Sequence, residues 1–112
     1  MAERTFTFEQ ACALMSEVRQ KTRAAVDEVE GLEVPFDDAD DPDEAKDKLR
    51  EAAGKVLARW AGEMNAMGIE VKGPWLIDFD SGAGYYCWRW PEESLQFFHG
   101  YEEGFAGRVR IQ

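Results

Sequence analysis

A chain of 112 residues is one domain's worth, read here as a single unit over 1–112 with a core of modest size. Its formal net charge of −10 is local: residues 27–47 hold eleven acids against one base, Lys46, which accounts for the whole excess. Such a field repels phosphate backbones and anionic lipid, so it argues against nucleic acid and membrane surfaces as partners.

No basic, apolar leader opens the chain and no segment approaches the ~20 apolar residues needed to cross a bilayer, so a cytoplasmic protein is expected. The two cysteines, Cys12 and Cys87, have neither redox nor metal-ligand spacing and are expected as reduced, partly buried thiols.

The first helix is expected over residues 8–30. Thr7 is its N-cap, Gln10 the capping-box partner, and Phe6 can staple to Ala11. Phe8, Ala11, Met15, Val18, Thr22, Ala25 and Val29 then recur at intervals of three and four, flanked by Leu14 and Val26, and Gly31 stops the run. An acidic connection follows over 31–41. It has carboxylates enough to suggest a calcium loop, but counted from Asp38 the sixth position is Asp43 instead of glycine and the twelfth is Leu49 instead of glutamate. A solvated loop is the better reading.

Asp41-Pro42-Asp43-Glu44 opens the second helix with an N-cap, a first-turn proline and acids against the dipole. Ala45, Leu49, Ala52, Ala53, Val56, Leu57, Trp60, Met64 and Met67 continue at helical spacing to Gly68, a C′ stop. The pair over 7–67 should form an antiparallel hairpin about 35 Å long at 1.5 Å per residue. Because a small sheet cannot cover that length, a homodimer is expected.

After Gly68 the period becomes two. Residues 69–112 read as three to four antiparallel strands: an entry at Ile69 and Val71, then Trp75–Phe79, Tyr85–Trp90, Leu95–His99 and a short Val109–Ile111. Ten of the fourteen aromatic residues fall between Trp75 and Phe105. With Ser81–Ala83 as one loop and Pro91–Ser94 as the next, Phe79 faces Tyr85, Asp78 faces Tyr86, Trp88 faces Phe97 and Tyr86 faces His99. One sheet face then carries Ile77, Phe79, Tyr85, Cys87 and Phe98 against the helices. The other carries Asp78, Tyr86, Trp88, Trp90, Phe97 and His99, with Asp78, Tyr86 and His99 in one row.

Asp and His types joined by a tyrosine can move protons, since the carboxylate orients the imidazole. No nucleophile joins the row, because on this register Cys87 points away. With one histidine, a metal site would need Asp78 plus Glu92, Glu102 or Glu103 as oxygen ligands, which is not the spacing of a dedicated zinc or iron site, so neither metal nor cofactor is expected. On the unpartnered face Trp88 and Trp90 read as a subunit interface. In Gly104-Phe105-Ala106-Gly107-Arg108 the glycines allow a turn that tucks Phe105 inward and returns Arg108 to an acid such as Asp78 or Glu92.

These residues also carry a resemblance. Phe6-Thr7 with Glu9, Ala11, Leu14 and Val18-Arg19, Gly68 with Val71-Lys72, Leu76-Ile77-Asp78-Phe79, Cys87-Trp88-Arg89 with Glu92 and His99, and the Gly104–Arg108 cluster together resemble the bacterial DUF2203 family over nearly the whole chain. Phe98 stands where that family often has tryptophan, and Ala83-Gly84 where it has a Gly-Arg pair. The resemblance implies a small cytosolic protein without an assigned activity. It also implies Asp78, Cys87, Trp88, Arg89, Glu92, His99, Gly104, Phe105 and Arg108 as its motif positions.

The expectation is therefore an α+β chain, a long helical hairpin followed by a small antiparallel sheet. It favours a noncatalytic interaction or assembly module whose candidate residues are Asp78, Tyr86, Trp88, Trp90, Glu92, His99 and Arg108. The alternative is a small-molecule or metal-binding protein, or an enzyme, with a site around Asp78, Glu92, His99 and Arg108.

Overall fold

A computed structural model describes residues 4–33 and 41–111. Two helices, α1 (Phe8–Glu30) and α2 (Pro42–Ala66), precede five strands: β1 (Glu70–Gly73), β2 (Leu76–Asp80), β3 (Tyr85–Arg89), β4 (Phe97–His99) and β5 (Val109–Arg110). The class is α+β, as expected, with one strand more than the reading allowed. Most of the acidic connection, including the calcium-loop positions Asp37, Asp38 and Asp40, lies outside the described residues. Among the described residues no helix is long and apolar enough to cross a membrane.

Local chemistry sets both helix boundaries. Thr7 Oγ1 accepts from the Gln10 amide at 3.0 Å while Gln10 Oε1 accepts from the Thr7 amide at 2.9 Å, so a capping box satisfies donors that a helix start leaves unpaired. Asp41 Oδ1 accepts from the Glu44 amide at 3.2 Å to open α2. At its far end Gly68 takes φ +82°, and the Gly68 and Ile69 amides donate to Asn65 O and Met64 O, the paired bonds of a Schellman stop.

Ala11, Met15, Val18, Thr22 and Ala25 of α1 face Val56, Trp60 and Met64 of α2 in one buried cluster. Inside it the Trp60 indole N–H donates to Thr22 Oγ1 at 2.9 Å, which satisfies both polar groups where neither is exposed. Phe6 packs edge-on against Phe79, and Trp75 against Trp60, so the sheet seats on the end of the hairpin nearest its first and last residues.

The strands form an antiparallel meander in the order β1-β2-β3-β4-β5. Its register differs from expectation. Asp80 pairs with Tyr85, Phe79 with Tyr86 and Asp78 with Cys87; on the other edge of β3, Tyr85 pairs with His99 and Cys87 with Phe97. The loop between β2 and β3 therefore spans Ser81–Gly84, one residue longer than read. Asp80 stays in the strand and its Oδ1 accepts from the Gly82 amide at 2.8 Å, while the Ser81 amide and hydroxyl both donate to Gly84 O. Gly84 turns at φ +153° hard against β4, where a Cβ would stand 2.8 Å from His99 O.

A shift of one residue exchanges the two faces of a strand. β2 and β4 keep the phases expected of them and β3 takes the opposite one. Tyr86 and Trp88 therefore join Ile77 and Phe79 against the helices, and Tyr85 and Cys87 share the outer face with Asp78 and His99. Trp88 is 0% exposed within a single chain, which corrects its reading as a subunit contact. Cys12, expected to be partly buried, is exposed, while Cys87 is buried; both are free.

Candidate functional site

The outer face of the sheet is covered by the chain that follows β4. Beyond His99 this segment turns at Gly100, carries Tyr101 across β3 and reaches a 3-10 turn at Phe105–Gly107. Tyr101 packs edge-on against Tyr85, and its hydroxyl donates to Asp80 Oδ1 at 2.6 Å. That hydrogen bond, with lesser help from burial and the Asp80 charge, pushes the phenol up to about 12. Beneath the segment lies a cavity of about 360 Å³ walled by Asp78, Cys87 and His99 from three adjacent strands and by Lys72, Tyr85, Tyr101 and Phe105 around them.

At its floor three chemically active side chains converge. Asp78, Cys87 and His99 are 1%, 1% and 4% exposed, and one ligand-type atom from each lies within 4.8 Å of the others. His99 Nε2 is 3.0 Å from Asp78 Oδ2, and Nδ1 is 2.8 Å from Gly100 O. The other carboxylate oxygen, Asp78 Oδ1, is buried without a hydrogen-bond partner. Cys87 sits directly opposite Asp78 in the ladder. Burial first, the Asp78 charge second and the closeness of the thiol to that carboxylate third push Cys87 up to about 12, although no hydrogen bond of normal geometry reaches Asp78 Oδ1; the adjacent Arg108 opposes them only in part. At neutral pH the group is a thiol, which is the unreactive form.

Of the remaining expected residues, Arg108 borders the cluster beside Cys87 and engages Glu92 at 2.8 Å, with its guanidinium held between the Phe97 and Phe105 rings at 4.0 and 3.9 Å. Glu92 Oε1 also accepts from the Arg89 amide, and Glu92 O accepts from the Trp88 indole at 2.9 Å. This pair ties the β3–β4 loop to the chain entering β5, closing one side of the site. Tyr86 and Trp88 are on the helix-facing side, and Trp90 packs edge-on against Trp88 at the margin of the core. Sequence reasoning placed Asp78 and His99 together but missed Cys87, Tyr85 and Tyr101. The signal for the first two was Asp80, whose side chain can cap a following turn while its backbone stays in the strand.

Fold and site together define a helical-hairpin protein with a meander sheet, bearing a buried carboxylate, imidazole and thiol under a C-terminal flap. The chain belongs to the family described as Uncharacterized conserved protein (DUF2203), whose match spans residues 4–111. Comparison with curated proteins and with solved structures gives no match.

Proposed function

We propose that this protein binds a small polar ligand in the cavity on the outer sheet face. The observation that carries the reading is Asp78 Oδ1, a carboxylate oxygen buried at the cavity wall with no partner. Leaving a buried charged acceptor unsatisfied costs about 1–3 kcal/mol or more, a cost that a binding site recovers when its ligand arrives. The surrounding groups suit a compact polar molecule: Lys72, paired with Glu70 at 3.0 Å, has further N–H donors, the Tyr85 and Tyr101 hydroxyls, which donate to Glu70 and Asp80, retain acceptor lone pairs, and Leu76 and Phe105 offer apolar wall. Binding is favoured over nucleophilic catalysis because Cys87 holds its proton. A reducing, cytoplasmic setting fits two free cysteines.

A thermal-shift screen of polar metabolites tests this. Compounds that stabilise the wild-type protein should lose their effect in Asp78→Asn and His99→Gln. Equal shifts in wild type and both variants would move binding away from this cavity.

Assembly is the second reading, now on a different surface. Val29, Leu32, Leu49 and Ala53 line a groove on the hairpin that Lys46 and Arg50 flank, and a second copy would cover its apolar part. Light scattering decides it: a homodimer should dissociate in Leu49→Glu, and monomer mass at high micromolar concentration would refute it.

A further inference from the structure

We propose that Asp78, Cys87 and His99 bind one divalent transition-metal ion of the zinc class, with the ion's fourth position open to the cavity. This deepens the ligand-binding reading and rests on it for the occupant of that fourth position.

His99 is held in one tautomer. A carbonyl oxygen can only accept, so Nδ1, 2.8 Å from Gly100 O, must carry the proton. In a neutral imidazole Nε2 is then a lone pair, and it points at Asp78 Oδ2 across 3.0 Å. Two acceptors cannot face each other bare in a buried place. Either one further proton lies between them, on His99 or on Asp78, or a cation sits there.

Three further observations favour the cation. A proton between His99 and Asp78 leaves Asp78 Oδ1 unpartnered, whereas a metal beside the carboxylate can engage it. Cys87, directly across from Asp78, supplies a third ligand type, so that atoms from all three side chains fall within 4.8 Å. Bonds of about 2.0–2.3 Å to a tetrahedral ion place ligand atoms roughly 3.3–3.8 Å apart, which small side-chain rotations can reach from here. Finally, the Gly100 carbonyl holds the tautomer that frees Nε2, the outer hydrogen bond expected behind a metal-bound histidine.

The donor set selects the metal. A thiolate and an imidazole with one carboxylate suit zinc, cobalt or ferrous iron and disfavour magnesium and calcium, which take oxygen ligands. On binding, the Cys87 S–H bond breaks, sulfur keeps the electron pair and donates it to the metal, and the proton leaves to solvent. No redox change is involved. Three protein ligands with one open position is the arrangement of exchangeable, substrate-accessible zinc sites.

The test uses the full chain, stripped of metal by a chelator and titrated with Co²⁺ and then Zn²⁺. One Co²⁺ per chain should bind with a sulfur-to-cobalt charge-transfer absorption, Zn²⁺ should displace it, and the melting temperature should rise. Cys12→Ser should keep the absorption and Cys87→Ala should lose it. Asp78→Asn, nearly isosteric and so the variant least prone to misfold, should weaken Co²⁺ binding by about tenfold or more; circular dichroism establishes that each variant is folded. A folded wild-type protein that shows no absorption and retains no metal would overturn the inference and leave a shared proton between His99 and Asp78. So would an absorption that survives Cys87→Ala and disappears in Cys12→Ser. Failure of the cavity reading is distinct: Co²⁺ would bind at Cys87, but no small molecule would shift the melting of the metal-loaded or the metal-free protein.

Discussion

Replacing Trp88 by alanine tests the corrected register directly. Trp88 has no exposed surface in a single chain, packs with Ile77 and Phe79 in the cluster beneath the helices, and donates its indole N–H to Glu92 O at 2.9 Å. Truncating a buried tryptophan costs about 3–5 kcal/mol through lost transfer energy and the cavity left behind. Of this, the hydrogen bond contributes about 0.5–1.5 kcal/mol. With about 4 °C of melting temperature per kcal/mol for a domain of this size, Trp88→Ala should melt roughly 12–20 °C below wild type. Trp88→Phe, which keeps most of the ring contact and loses the N–H, should lose less than half as much. The measurement is urea and thermal unfolding at two protein concentrations a hundredfold apart. Because the packing is within one chain, the loss should be the same at both. A loss under about 1 kcal/mol, or one that grows on dilution, would refute the register and restore Trp88 to a subunit contact.

Three further outcomes follow from the sheet. Gly84→Ala places a Cβ 2.8 Å from the His99 carbonyl at a backbone angle that side chains avoid, so it should cost about 1–3 kcal/mol or more and loosen the Tyr85–His99 pairing. A normal melting curve with an unchanged His99 imidazole resonance would contradict that. In the metal-free protein Cys87, buried and pushed up to about 12, should resist iodoacetamide at pH 8 while exposed Cys12 is labelled. The same raised value makes its contribution to stability complete below about pH 9, where neither state ionises, and progressively lost as pH rises toward 12, because the unfolded chain releases the proton first. Cys87→Ala should therefore flatten that part of the alkaline stability profile, and equal slopes in both proteins would sink the assignment.

Much of the helical half was legible residue by residue. Thr7 with Gln10, Asp41 with Pro42, and Gly68 are signals whose partners lie within five positions along the chain, and each does in the structure what its chemistry implies. The seam through Ala11, Met15, Val18, Thr22 and Ala25 is equally local, because a period of 3.6 allows only one face to be apolar. Nothing local disclosed that the Thr22 hydroxyl would meet the Trp60 indole, since that bond needs the two helices docked at one particular offset.

In the sheet the same kind of reading reached the strands and the pairing of Asp78 with His99, then stopped at β3. Alternation in Tyr85-Tyr86-Cys87-Trp88-Arg89 is compatible with either face pointing inward, because aromatic groups stand at both odd and even positions. The choice is made by Asp80, which remains in β2 while capping the Ser81–Gly84 loop, and by Gly84, which lets that loop press against His99. Element type and helix boundaries thus follow from interactions within a few residues, which the chain carries in its own order. The convergence of Asp78, Cys87 and His99 depends on how many residues two turns contain and on a flap folding back from β4. Only the folded sheet settles that count, since one residue more or less sends each side chain to the opposite face.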